Sequence, residues 1–169
     1  MHKCLEEKEE TPNINIVDIV ASIDGSKHKI GFQAYRSVPA NDKWKLIDYG
    51  IMVSTATNWN DSDVENNLRF AYVNKNTGEV ELKPGITRYQ GTSTSLTGGM
   101  TYNCNVGSNL DRFVYLRAYL IVAYNKTGSK DNFGEAFIMY TDAVKVSWTT
   151  ADEKRYQVFK IPDIGKDYE

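Results

Sequence analysis

The sequence predicts an all-β chain folded as an antiparallel β-sandwich, and three observations carry that expectation. The run Phe113–Tyr124 is almost wholly aliphatic, β-branched or aromatic, with Val114, Leu116, Ala118, Leu120 and Val122 on one side of an extended strand and Tyr115, Arg117, Tyr119 and Ile121 on the other. Other segments with alternating apolar residues recur at short spacing, separated by turn formers such as Asp24-Gly25-Ser26 and Asn74-Lys-Asn-Thr-Gly78. No segment carries the apolar spacing of a long amphipathic helix.

Each element can be justified in chain order. Residues 1–11 are rich in Glu and lack periodicity, which reads as a disordered acidic leader. The sandwich domain is expected over 12–150. Ile14, Ile16, Ile19, Ala21 and Ile23 alternate with one slip of parity near Val17, the mark of a β-bulge. Ile30, Phe32 and Ala34 define the next strand, and Ile47, Tyr49, Ile51 and Val53 share a face of the one from Trp44 to Ser54. The polar stretch 55–67 holds a short helix with Asp61 or Ser62 as its N-cap. Leu68, Phe70 and Tyr72 lead through the Asn74–Gly78 turn into Val80-Glu-Leu82, an extra hairpin, and Lys83–Gly99 reads as a long polar connection. Strands then follow at Met100–Val106, Phe113–Tyr124 and Phe137–Trp148. Residues 151–169 are charged around one apolar patch at Tyr156–Ile161 and read as an edge strand or a linker.

Composition narrows the function classes. At 169 residues, with 41% hydrophobic and 25% charged residues, the chain suits one soluble domain with a sizeable core. A formal charge of −2 and the lack of a polybasic run argue against nucleic acid and anionic membranes as partners. No apolar run is long enough for membrane insertion. The first residues lack the apolar region of a signal peptide, which suits either a cytoplasmic protein or a module excised from a longer exported chain; the architecture favours the second. Cys104 alternates with Met100, Tyr102 and Val106 and is expected to be a buried free thiol, with a bridge to Cys4 left open.

Four segments carry a family resemblance: Gly31-Phe-Gln-Ala-Tyr-Arg-Ser-Val-Pro39, Ile47-Asp-Tyr-Gly-Ile-Met-Val53, Val114-Tyr-Leu-Arg-Ala-Tyr119 and Tyr140-Thr-Asp-Ala-Val144. Their order resembles the fibronectin type III and Ig-like modules of large surface proteins from Firmicutes and related gut bacteria. In such modules these pieces correspond to strands B, C, F and the start of G. The chain departs from the pattern at Val114, where the family has its corner tyrosine. The resemblance implies a secreted, cell-surface spacer or adhesion module excised from a longer exported chain. It implies partners among neighbouring modules or surface glycans and proteins, and offers no catalytic site. Phages display similar sandwiches, so a virion or tail-associated module is a further alternative.

Candidate sites are few. Trp59, Trp44 and Tyr35 could form an aromatic platform for a carbohydrate or peptide, or could simply cover core edges. Asp61, Asp63 and Glu65, with Asn58 and Asn60 nearby, place oxygen donors that could hold Ca²⁺, although an EF-hand would need a Gly and a Glu that are missing; helix capping explains the same acids. His28 lies between two lysines and reads as a solvated side chain. Arg117 is expected to stack between tyrosines on a half-exposed face and to pair with Asp48 or Asp142. Asn60-Asp-Ser62 and Asn125-Lys-Thr127 match a glycosylation sequon. No nucleophile, zinc or phosphate-loop motif is present, and Glu79, Glu81 and Glu135 carry no spacing that singles them out, so the chain is not read as an enzyme.

If Val114, Leu116, Ala118, Leu120 and Val122 face the core, Leu116→Asp should abolish folding by forcing an unpaired charge inside. Soluble Leu116→Asp protein with wild-type near-UV circular dichroism would put the buried face on the other side.

Overall fold

A computed structural model of the chain describes residues 10–56, 59–125 and 134–160. The expectations for the leader through residue 9, for Cys4, for Asn58, for residues 126–133 and for 161–169 lie outside the described residues, as does the side chain of Glu65.

Two antiparallel sheets face each other. The first contains β1 (Asn13–Asp24), β2 (Lys27–Ser37) and β7 (Thr97–Gly107) in the order β1-β2-β7. The second runs β11-β10-β8-β3-β6, from β11 (Gln157–Phe159) and β10 (Ala143–Val146) through β8 (Val114–Tyr124) and β3 (Trp44–Ser54) to β6 (Ile86–Gln90). A short strand β9 (Ala136–Tyr140) pairs with the second half of β8, beyond the residues that pair with β10. Between the sheets lie Ile19, Ile30, Phe32, Ile51, Val53, Cys104 and the whole Val114–Val122 alternating set. The bulge expected near Val17 is present: Ile16 pairs with Ala34 and Asp18 with Gln33, which leaves Val17 unpaired and exposed. Trp148 begins a short helix, α2 (Trp148–Asp152), capped by Ser147, and its indole donates to the Ser22 carbonyl at 3.0 Å, closing one end of the sandwich. At the edge, Tyr89 of β6 stacks on Tyr102 of β7 with ring centroids 4.1 Å apart.

The second face of β8 is not half-exposed as expected. Tyr115, Arg117, Tyr119 and Ile121 are as buried as the residues facing the sandwich. A third layer covers them, made of a 3-10 turn (Asp61–Asp63), α1 (Val64–Asn67) and the hairpin β4 (Phe70–Val73) and β5 (Val80–Leu82). Val64, Leu68, Phe70 and Val73 pack from this layer onto Met52, Tyr119, Ile121, Ile138 and Tyr140. The hairpin turn follows from its sequence. Asn74 Oδ1 accepts from the Asn76 amide at 2.8 Å, and Gly78 adopts a φ of 78°, where a side chain would be strained.

Arg117 holds this layer down. Its side chain is fully buried, with Nε donating to the Thr141 carbonyl at 2.7 Å and Nη1 to the Leu68 carbonyl at 3.2 Å. The guanidinium lies 4.2 Å from the Tyr140 ring centre, and the Tyr140 hydroxyl accepts from the Phe70 amide at 3.1 Å. Asp48, expected as a partner for Arg117, lies four residues along β3 from the position opposite it and accepts instead from Arg88, Gln90 and the Tyr119 hydroxyl at 2.8, 2.9 and 3.1 Å.

Several other expectations are corrected. The connection Lys83–Gly99 contains β6, which pairs with β3 from Gly50 to Ser54. The strand expected from Phe137 to Trp148 is broken at Thr141-Asp142, where Thr141 Oγ1 accepts from the Ala118 amide at 3.0 Å and so replaces a ladder carbonyl. Ile47 does not share the face of Tyr49, because a register shift between Leu46 and Asp48 turns it toward the third layer. The helical turn is capped one residue earlier than expected, at Asn60, whose amide donates to Asp63 Oδ2 at 2.8 Å.

Arg117→Met keeps the volume but orphans two buried carbonyls. It should cost about 3 kcal/mol in chemical denaturation. Amide exchange should accelerate first in Leu68–Leu82, and an unchanged midpoint would show that the layer is held by apolar packing alone.

Candidate functional site

Trp44 and Trp59, expected with Tyr35 on one platform, lie at opposite ends of a strand pair. Trp44 pairs opposite Tyr124 at one end of the β3–β8 ladder, and Ser54 pairs opposite Tyr115, Trp59's neighbour, at the other. Ten residues of strand separate these positions, roughly 30 Å. Trp44 packs on Tyr124 and Phe137 with ring centroids 4.6 and 5.8 Å away, and Tyr35 stands exposed on β2 between Asn15 of β1 and Gly99 of β7. Trp44 therefore covers a core edge, whereas Trp59 sits at a concavity.

That concavity, about 540 Å³, opens where the segment after β3 meets the loop between β7 and β8. Trp59 and Tyr115 form its apolar side, their ring centroids 5.0 Å apart at 45°. Phe113 forms another wall and is 40% exposed, a large fraction for a phenyl ring beside a strand. Lys145 faces the same space from β10, since it pairs directly opposite Tyr115. Its ammonium lies 4.7 Å from the Phe113 ring centre and 3.5 Å from Asp61 Oδ1. Arg112 lines the cleft, is exposed, and forms no ion pair with any described residue. Asp111 is turned toward α2, its Oδ1 accepting from the Thr149 hydroxyl at 2.8 Å. An aromatic surface, two cations and the Asn109 amide suit non-covalent recognition.

Asp61 and Asp63 do not converge on a common point. Asp61 lies between Lys145 and the Gln157 amide, and Asp63 accepts from the Asn60 amide that it caps. Among the described residues no three acidic, histidine or cysteine side chains form a metal-binding group. His28 is half-buried rather than solvated, its ring edge-on to Trp148 at 4.9 Å. Of the two sequon asparagines, Asn60 is exposed but Asn125 is 1% exposed, and that burial denies its side chain to a glycosylating enzyme in the folded chain.

A second cleft, about 370 Å³, lies between the β4–β5 hairpin and β6 and contains Asp48, Glu79, Arg88 and Gln90. Asp48 is already satisfied there by four donors: the Arg88, Gln90 and Tyr119 groups and the Tyr49 amide at 2.8 Å. Burial, and then the Asp48 charge, hold the Tyr119 phenol well above its ordinary range. This cluster braces the β3 bulge. Among the described residues no helix is long and apolar enough to cross a membrane. No family model, curated protein or solved structure matches the chain.

Sequence reasoning picked out Trp59 but missed Arg112, Phe113, Tyr115 and Lys145. The aromatic pair Phe113 and Tyr115 was visible as a flank of the long strand, but nothing local could place Lys145 beside it.

Cys104 is buried and free, and desolvation raises its thiol above the ordinary value despite opposing effects of Tyr102 and Arg112. The folded state therefore keeps the proton longer than the unfolded chain. That contribution to stability is complete below the unfolded thiol's value of about 8.5 and is lost as pH rises beyond it. In a Cys4→Ser background, Ellman's reagent at pH 8 should modify Cys104 only as fast as the protein unfolds, with denaturant restoring rapid reaction; fast native labelling would show that the thiol is open to solvent.

Proposed function

We propose that the chain is a non-catalytic structural and interaction module, fibronectin type III or Ig-like in kind, that acts as a spacer or adhesion unit in a secreted bacterial surface protein. The observation that carries this reading is the distribution of strands. The segments that resemble strands B, C and F are β2, β3 and β8, and the fourth straddles the β9–β10 break. β1, β2 and β7 make one sheet, while β6, β3, β8 and β10 lie side by side in the other. Such modules are likewise built as antiparallel strands divided between two facing sheets, which supports this reading. The polar groups buried within it support the same reading. Arg36 binds the Ser95 and Gly98 carbonyls, Arg117 those of Thr141 and Leu68, and Asp48 braces a bulge, so each serves the scaffold.

A second reading, a carbohydrate- or peptide-binding module, is favoured by one specific feature. The Trp59 cleft leaves Phe113 and Arg112 facing solvent without a described partner for the cation. Neighbouring modules of the same chain, or a surface glycan or protein, are the partners both readings call for.

Antibodies against the purified chain should label intact cells of the organism that encodes it, at the level seen after permeabilisation. Labelling that requires permeabilisation would end the surface reading.

A further inference from the structure

We propose that the Trp59 cleft binds a carboxylated saccharide, with sugar rings against Trp59 and Phe113 and the carboxylate directed to Arg112 and Lys145. The inference rests on the ligand-binding reading above and names its ligand class.

Shape comes first. A concavity of about 540 Å³ is within the span of small-ligand sites, about 300–1,000 Å³. It is bounded by flat rings, and the C–H faces of a sugar pack on such rings while its hydroxyls stay at the polar rim. Asn109, on the same loop as Phe113, offers an amide at that rim.

Charge comes second. The chain as a whole carries a formal −2, yet the described lining residues hold two cations against one carboxylate. That carboxylate, Asp111, is engaged by Thr149 at 2.8 Å. Arg112 has no ion pair among the described residues, and the Lys145 contact to Asp61 is long at 3.5 Å. An incoming carboxylate would give Arg112 a counter-charge and compete with Asp61 for Lys145. A neutral sugar would leave Arg112 as it stands.

Backbone geometry argues against an extended acidic peptide. Peptides commonly bind by adding a strand to an open sheet edge. At this cleft β8 is already flanked by β3 and β10, and β10 by β8 and β11. The recognition surface there consists of side chains.

The test is isothermal titration of the chain with three probes: tetragalacturonate, its fully methyl-esterified form, and tetraglutamate. Saturable binding of the uronate is expected, weakened at least about fivefold by esterification, by raised salt, or by Arg112→Gln, with the thermal midpoint of that exposed variant unchanged. Trp59→Ala should abolish the heat signal, and Arg112→Gln keeps the test informative if Trp59→Ala fails to fold. Equal affinity for the methyl ester would overturn the role of charge while leaving a saccharide site in place. Equal affinity for tetraglutamate would overturn the saccharide. Binding of none of the three would overturn this inference and the ligand-binding reading together.

Discussion

The Arg117 side chain is the constraint on which the rest of the architecture depends. A guanidinium at the centre of β8 must either reach water or find acceptors, since burying it unsatisfied would cost several kcal/mol. Here it finds carbonyls that belong to two other parts of the chain, Thr141 at the break between β9 and β10 and Leu68 at the end of α1. Those acceptors lie 24 and 49 residues away in sequence, so satisfying one side chain fixes the third layer over the sheet. Tyr140 completes the clamp by stacking on the guanidinium and accepting from the Phe70 amide. The sandwich thereby gains a second apolar interior on the far side of β8 and β3.

The same covering layer imposes a demand on β3. Gly50 pairs with Tyr119, and a Cβ at Gly50 would lie 2.8 Å from the tyrosine hydroxyl and closer still to the Tyr89 carbonyl. Its missing side chain lets the Tyr119 ring cross the strand and deliver its hydroxyl to Asp48, 3.1 Å away. Asp48 sits at the register shift that turns Ile47 toward the third layer, with Arg88 and Gln90 of the edge strand as further donors. The Tyr49-Gly50 pair at the centre of this strand thus has a packing reason: Tyr49 turns into the sandwich under Arg36, whose guanidinium lies 3.7 Å from its ring, while Gly50 clears the opposite face.

What was legible in the sequence follows from how local each cause is. The bulge at Val17 shows as a break in alternation because a bulge shifts parity within a few residues. The Asn74–Gly78 turn shows because its residues make their own hydrogen bonds. The inward face of β8 was read correctly from period two, yet the burial of its other face was not. A run of Tyr, Arg, Tyr and Ile looks amphipathic until another layer supplies carbonyls for the arginine, and the sequence holds no local sign of that layer's position. β6 was hidden for a similar reason. As an edge strand it contributes one buried residue, Ile86, and four partly or largely exposed ones, so its composition resembles a loop. Trp59 and Trp44 share an aromatic character that is local, but the ends of the strand pair they occupy are set by long-range pairing, so no common platform is legible or formed.

The position of the cleft is a consequence of where the third layer stops. Along β8 the outward residues are Tyr115, Arg117, Tyr119 and Ile121. Arg117 reaches the end of α1 and Tyr119 meets Phe70 edge-on with ring centroids 4.8 Å apart, so both lie under the layer proper. At Tyr115 the aromatic cover is Trp59, which precedes the helical turn and is itself half-buried. Just before the strand, Phe113 is 40% exposed, and Arg112 beside it is exposed too. The strand's register with β10 then brings Lys145 to the same margin. A fold that seals the outer face of β8 through the Arg117 clamp leaves its first residues at the rim, where aromatic rings and cations meet water. Of the residues bounding this rim, Asn109, Arg112 and Phe113 belong to the connection between β7 and β8, and these exposed side chains can change without disturbing either apolar interior.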